Sequence, residues 1–147
     1  MREGEEGLVE LFEYLLRRKI ERSSKIFSEC GVSDITIRQI SYLKTIDEQG
    51  NITFSRLAEI TRNSKPTITE VIRKFERMEC VLREPCPEDK RVLYIRLTEK
   101  GRRIARAEHT SLRQVIEELM DSLDEPDQER LIRLLKKSGN FFGREIR

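Results

Sequence analysis

Three shortages narrow the reading before any motif is considered. The 147-residue chain has one histidine, His109, and three cysteines, Cys30, Cys80 and Cys86. A single imidazole argues against a histidine metal centre or His-based catalysis. An odd number of thiols with no Cys-x-x-Cys pair argues against a disulfide framework and a zinc site. No phosphate-binding glycine loop and no nucleophile–base set is visible, so neither an enzyme nor a cofactor is expected. No apolar run nears the roughly 18 residues of a membrane span. The acidic start MREGEEG lacks a signal-peptide pattern. The chain therefore reads as cytoplasmic and reduced, with no membrane partner.

Apolar material is also short. Hydrophobic residues make up 37% and charged residues 38% of the chain. A chain of this size can still bury roughly 70% of its unfolded surface. With so much charge facing water, the pattern favours amphipathic helices, or an elongated shape whose core a partner completes. Net charge is only +2, but it is unevenly spread: residues 53–103 carry 13 Lys/Arg against 8 Asp/Glu, and the remainder 16 against 19. A basic centre between acidic flanks is the asymmetry of a chain that meets a polyanion.

Periodicity supplies the elements. Leu8, Leu11, Phe12, Leu15, Leu16 and Ile20 recur at helical spacing, predicting a first helix to about Phe27. Thr36 with Gln39 reads as a capping box opening a second helix, with Ile37, Ile40, Leu43 and Ile46 inward and Gly50 as its left-handed stop. A short third helix from about Thr53 turns Phe54, Leu57, Ala58 and Ile60 inward. After the polar link at 62–65 a fourth helix starts, with Ser64 as N-cap and Pro66 in its first turn. Its inner stripe is Ile68, Val71, Ile72, Phe75 and Met78. Two strand-like pieces follow, about Cys80–Glu84 and Val92–Leu97, with Pro85 and Pro87 framing the tip between them. Thr98 caps one long helix carrying Ile104, Leu112, Val115, Ile116, Leu119 and Leu123. A last helix near Pro126 buries Leu131, Leu134 and Leu135. The fold class is mainly α with a small β-hairpin.

Two helices joined by a tight turn and followed by a hairpin describe a winged helix-turn-helix. One helix braces the next, and the next offers its outer face to a DNA groove. That outer face reads Lys65, Thr67, Thr69, Glu70, Arg73, Lys74 and Arg77. Hydroxyls in the first turns suit base edges, and the bases further along suit phosphates.

Residues 53–103, with ITIRQI (35–40) before them, resemble MarR-type transcriptional regulators. The features that carry the resemblance are LAEIT (57–61), SKPTIT (64–69), PEDKR (87–91) and LTEKG (97–101). The resemblance implies a homodimer: a single domain over 1–147, with dimerisation helices at about 5–30 and 99–143 and a winged helix-turn-helix lobe at about 35–98. It implies a regulator, a repressor released by a small ligand, on a pseudo-palindromic double-stranded site. The implied DNA-binding set is Ser64, Lys65, Pro66, Thr67, Thr69, Glu70, Arg73, Lys74 and Arg77, with Asp89, Lys90 and Arg91 on the wing. Arg91 would enter the minor groove, oriented by Asp89. Three positions depart from the family pattern: Glu70 replaces a common arginine, Glu79 a helix-ending glycine, and Glu84 a common base.

The resemblance also implies a small aromatic or phenolic ligand between the dimer arms and the lobe, lined by Phe12, Tyr14, Phe27 and Tyr42. His109 is expected at the surface or a dimer interface. Cys80 is expected buried and inert, and Cys86 exposed at the wing. Neither Cys30 nor Cys86 is clearly electropositive, so no redox role is expected. The competing reading is a winged-helix module that binds protein instead of DNA, favoured by Glu70, Glu79 and Glu84.

Overall fold

Side-chain caps set most of the helix boundaries, and the sequence announces several of them. The computed structural model describes residues 2–143. Along the chain these form α1 (Glu5–Glu29), α2 (Ile37–Gln49), β1 (Ile52–Thr53), α3 (Phe54–Thr61), α4 (Lys65–Arg77), β2 (Val81–Pro85), β3 (Leu93–Leu97), α5 (Glu99–Ala105), α6 (Ala107–Asp121) and α7 (Glu125–Phe141). They fall into two compact units, Met1–Ser111 and Leu112–Arg147.

In the first unit the capping box opens α2: the Gln39 N–H donates to the Thr36 hydroxyl, and the Thr36 N–H donates to the Gln39 side chain. Thr53 and Ser64 cap α3 and α4 without the reciprocal half, their hydroxyls accepting from the Arg56 and Thr67 N–H groups. Gly50 ends α2 with φ 70° and ψ −99°. That is a positive φ outside the left-handed helical well expected for it, and it is open to glycine because no Cβ intrudes. The core of the unit gathers Leu43 and Ile46 of α2, Leu57 of α3, Ile68, Ile72 and Phe75 of α4, Ile95 of β3 and Ile104 of α5. Fully burying each large side chain contributes about 1.5–3 kcal/mol.

The hairpin expected from the sequence is part of a three-stranded antiparallel sheet of order β1-β3-β2. Strand β2 pairs with β3 from Val81↔Leu97 to Pro85↔Leu93, and β1 adds Ile52↔Ile95 on the other edge of β3. Two residues are too few to show alternation, so β1 left no periodic trace.

The start of α5 lies against the end of α4. The Thr98 N–H donates to the Cys80 carbonyl at 2.9 Å. The Thr98 hydroxyl donates to the Glu79 carbonyl at 2.6 Å, and Lys100 Nζ to the Met78 carbonyl at 2.7 Å. Gly101 makes this approach possible: a Cβ there would stand 2.0 Å from the Cys80 oxygen.

The long helix expected after Thr98 is interrupted at Arg106, where φ is −98° and ψ −1° and α5 gives way to α6. The Arg106 guanidinium is held there by both carboxylate oxygens of Asp47, at 2.9 and 2.8 Å. Side-chain periodicity runs through a one-residue interruption unchanged, so the pattern could not show it.

Helix α1 buries only Ser23. Its apolar stripe is exposed, with Leu16 at 55% and Ile20 at 61%. In the second unit α7 has Pro126 in its first turn, as expected, and the structure adds Asp124 as its cap. It does not bury Leu134 and Leu135, which are exposed, and Leu131 is half-buried. A helix pattern identifies an apolar face, not what covers it. Among the described residues no helix is long and apolar enough to cross a membrane.

Candidate nucleic-acid interface

The link between α3 and α4 is a fixed turn. Arg62 closes α3 in the left-handed region at φ 55° and ψ 40°. The next residue secures it: the Asn63 N–H donates to the Ala58 carbonyl, and its side-chain amide donates to the Tyr42 hydroxyl at 2.9 Å and the Thr61 carbonyl at 3.0 Å. Ser64 then caps α4, its hydroxyl also 2.8 Å from that of Thr67.

With Ile68, Ile72 and Phe75 fully buried, the opposite face of α4 must be outward. Ser64, Lys65, Pro66, Thr67, Glu70, Arg73, Lys74 and Arg77 are exposed there. Thr69 is half-buried, and its hydroxyl donates to the Lys65 carbonyl at 3.0 Å. With that proton committed, Thr69 offers lone pairs to an incoming donor. The two unusual acids are compensated from within. Glu70 accepts from Arg73 at 2.8 Å, and Glu84 from Arg96 across the β2–β3 pair at 2.7 Å. Glu79, the third, takes the left-handed conformation itself, with φ 59°. The helix thus keeps the ending that a glycine would have given, at the steric cost of a side chain.

Around α4 and the wing, cations divide by whether a carboxylate meets them. Arg56, Arg73, Arg83, Arg91 and Arg96 each pair with a carboxylate. Arg62, Lys65, Lys74, Arg77 and Lys90 have no ion-pair partner among the described residues. They lie in the turn before α4, along its outer face, and at the hairpin tip.

At the tip, Asp89 accepts from the Arg91 N–H at 3.0 Å and from Nε and the terminal nitrogen at 3.2 and 3.4 Å. These bonds, the guanidinium first, hold the Asp89 carboxyl below its ordinary range. The Arg91 side chain is nonetheless 92% exposed. Asp89 thus fixes both the backbone and the guanidinium of an arginine that stays open to solvent at the tip. Pro87, Glu88 and Lys90 beside it are also exposed.

Cys86 departs from expectation: it is 7% exposed, tucked within the wing. The Tyr94 hydroxyl donates to its Sγ at 3.5 Å. That contact, then the backbone N–H groups of Asp89 and Glu88, lowers the thiol's pKa, and the same contact raises that of Tyr94. The Cys86 N–H pairs with the Val92 carbonyl, which turns the side chain inward and gives the burial its cause. Cys80 is fully buried as expected, and burial pushes its thiol up. Cys30 is half-buried and His109 exposed.

Sequence reasoning missed the brace behind this surface. Arg83 on β2 donates to both carboxylate oxygens of Glu76 on α4, at 2.7 and 3.2 Å, and lies 5.0 Å over the Phe54 ring. It also missed Arg62 and the Thr98–Gly101 seam. Such pairings depend on tertiary register; only the glycine of LTEKG was a visible signal.

The four aromatic candidates for a ligand site are dispersed. Phe12 and Tyr14 are exposed on α1, and Phe27 packs against the lobe core. Tyr42 is buried and borders a cleft of about 350 Å³ between α2 and α4, with Arg38, Thr67, Val71 and Lys74 around it.

Fold and exposed face together define a winged helix-turn-helix DNA-binding transcriptional regulator. Comparison with known proteins agrees. Residues 35–93 match the MarR family. The chain is 30% identical over 107 residues to the transcriptional regulator HosA of Escherichia coli O111:H-, covering 73% of this chain and 79% of HosA. It is 27% identical over 125 residues to the HTH-type transcriptional repressor NicR of Pseudomonas putida, covering 84% of this chain and 79% of NicR. The structure is similar to an S. aureus MepR–DNA complex, with a TM-score of 0.65 at 22% identity, covering 93% of this chain and 98% of MepR. The chain belongs to the MarR family. The curated relatives are transcriptional regulators, not enzymes.

Proposed function

We propose that the chain is a cytoplasmic, homodimeric repressor that reads a pseudo-palindromic DNA site and is released by a small aromatic or phenolic ligand. The observation that carries the DNA part is the placement of uncompensated cations: Lys65, Lys74 and Arg77 on α4 and Lys90 on the wing. Ser64, Pro66 and Thr67 at the head of α4, with Thr69, approach base edges. Lys65, Lys74 and Arg77 approach phosphates, and Arg73 shares itself between Glu70 and the backbone. Arg91, held by Asp89, takes the minor groove. The neutralised Glu70 and Glu84 remove most of what favoured a protein-binding module, since neither presents an unopposed charge.

Dimerisation is supported by the bare stripes of α1 and α7: Leu8, Phe12, Leu16 and Ile20 on one, Ile132, Leu134 and Leu135 on the other. Contiguous apolar surface of this kind is costly in water and marks a contact. In a two-fold dimer, two α4 helices would meet successive major-groove turns roughly 34 Å apart.

For release, the α2–α4 cleft suits the ligand better than α1 does. Tyr42 supplies an aromatic wall, and Arg38 and Lys74 stand ready for a carboxylate or phenolate. Lys74 and Thr67 would then serve both ligand and DNA, so occupancy by one disfavours the other. Selection of bound sites from random duplexes tests the reading: it requires enriched inverted repeats, and affinity that falls with about 0.9 logarithmic units per phosphate contact as salt rises. No duplex binding at low salt would overturn it.

A further inference from the structure

Two non-glycine residues occupy the left-handed region among the described residues, Arg62 and Glu79, and they bracket α4. Glu79 follows the helix and Arg62 precedes it by two residues from the Ser64 cap. A left-handed arginine is costly, because Cβ crowds the following carbonyl, and glycine relieves that cost. Strain at an identified backbone outlier points to a role for the side chain. Here the turn is held firmly around the outlier by Asn63, through Tyr42 and Thr61. The side chain it carries is exposed and has no ion-pair partner among the described residues. Arg56, on the α3 helix that Arg62 closes, is instead paired to Glu59 at 3.1 Å.

We infer that Arg62 is a further DNA contact, a phosphate ligand at the head of the recognition helix that the lobe keeps in a strained position for that purpose. The inference rests on the duplex-binding reading above. In a helix-turn-helix the N-terminal end of the recognition helix enters the groove, so the turn leading into it faces the flanking backbone. A guanidinium there forms charge-assisted bonds to phosphate oxygens and carries no base preference of its own.

Arg62→Gly and Arg62→Gln separate charge from conformation. Gly removes both the cation and the strain; Gln removes the cation and leaves the strain. Duplex affinity is measured against salt on a selected site and on a random duplex, and thermal midpoints are recorded for each protein. Both variants are expected to bind roughly three- to tenfold more weakly on both duplexes, with the salt slope reduced by about 0.9. The Gly variant is also expected to melt about 2 °C or more above wild type. If both variants keep wild-type affinity and slope while wild type binds, Arg62 is no ligand. Loss in the Gly variant alone would assign the effect to turn geometry and overturn the inference. If wild type itself binds no duplex, the regulator reading falls, and this inference with it.

Discussion

Replacing Gly101 by alanine should damage the lobe far more than its helical position suggests. In an ordinary helix interior the change is favourable by up to about 1 kcal/mol. At position 101 the added carbon would sit 2.0 Å from the Cys80 oxygen and 2.9 Å from its carbonyl carbon. Both partners are backbone, so relief requires α5 to withdraw by roughly an ångström, a strain of the 1–3 kcal/mol order seen when packed interiors are overfilled. Withdrawal also stretches the bonds from Thr98 to Cys80 and Glu79 and from Lys100 to Met78. Each contributes about 1 kcal/mol. The net expectation is a loss of about 2–4 kcal/mol, read as a lower urea midpoint at unchanged slope. Gly7→Ala on α1 is the matched control: nothing lies within 4 Å of its added carbon, and it should be neutral or slightly stabilising. A Gly101→Ala protein as stable as wild type would refute the close approach. A loss of the same size in Gly7→Ala would refute its assignment to this contact.

Other perturbations have expected directions. Arg91→Ala should weaken duplex binding without changing sedimentation; unaltered affinity would remove the wing from the interface. Glu79→Gly should raise stability by about 1 kcal/mol by relieving the left-handed strain, as a denaturation curve would show. Ile20→Glu places a charge in the exposed stripe of α1 and should yield a folded monomer by sedimentation; an unaffected dimer would relocate the interface. Hydrogen bonds from Arg106 hold the Asp47 carboxyl below its ordinary range, outweighing its partial burial. Because the folded-state value is the lower one, this bridge stabilises fully above about pH 4 and is lost as pH falls through the folded value. Asp47→Asn should therefore flatten the acid side of the stability–pH curve.

The elements with local causes were legible in the sequence. Thr36–Gln39 and Ser64–Pro66 act within one turn, so residue type and spacing sufficed to place α2 and α4, and Pro126 marked the start of α7. The outer face of α4 followed from its inner stripe. What escaped notice depends on distant chain segments meeting. Strand β1 exists through its partner Ile95, the break at Arg106 coincides with its bridge to Asp47, and the burial of Cys86 depends on the fold of the tip back onto Val92 and Tyr94. Glu70 and Glu84 looked like repulsive charges in the sequence because their compensation by Arg73 and Arg96 is a matter of geometry.

Three carbonyls of the link just after α4, those of Met78, Glu79 and Cys80, are gripped by the start of α5 and make a stiff joint rather than a hinge. Tilting α4 alone would strip those acceptors of their donors while Gly101 leaves no slack for sliding. Any signal that repositions the reading head must then swing α4 and α5 together, as a lever moves with its handle. Spin labels at Arg77 and Arg103 should keep one separation with and without DNA, even where distances between the two copies change.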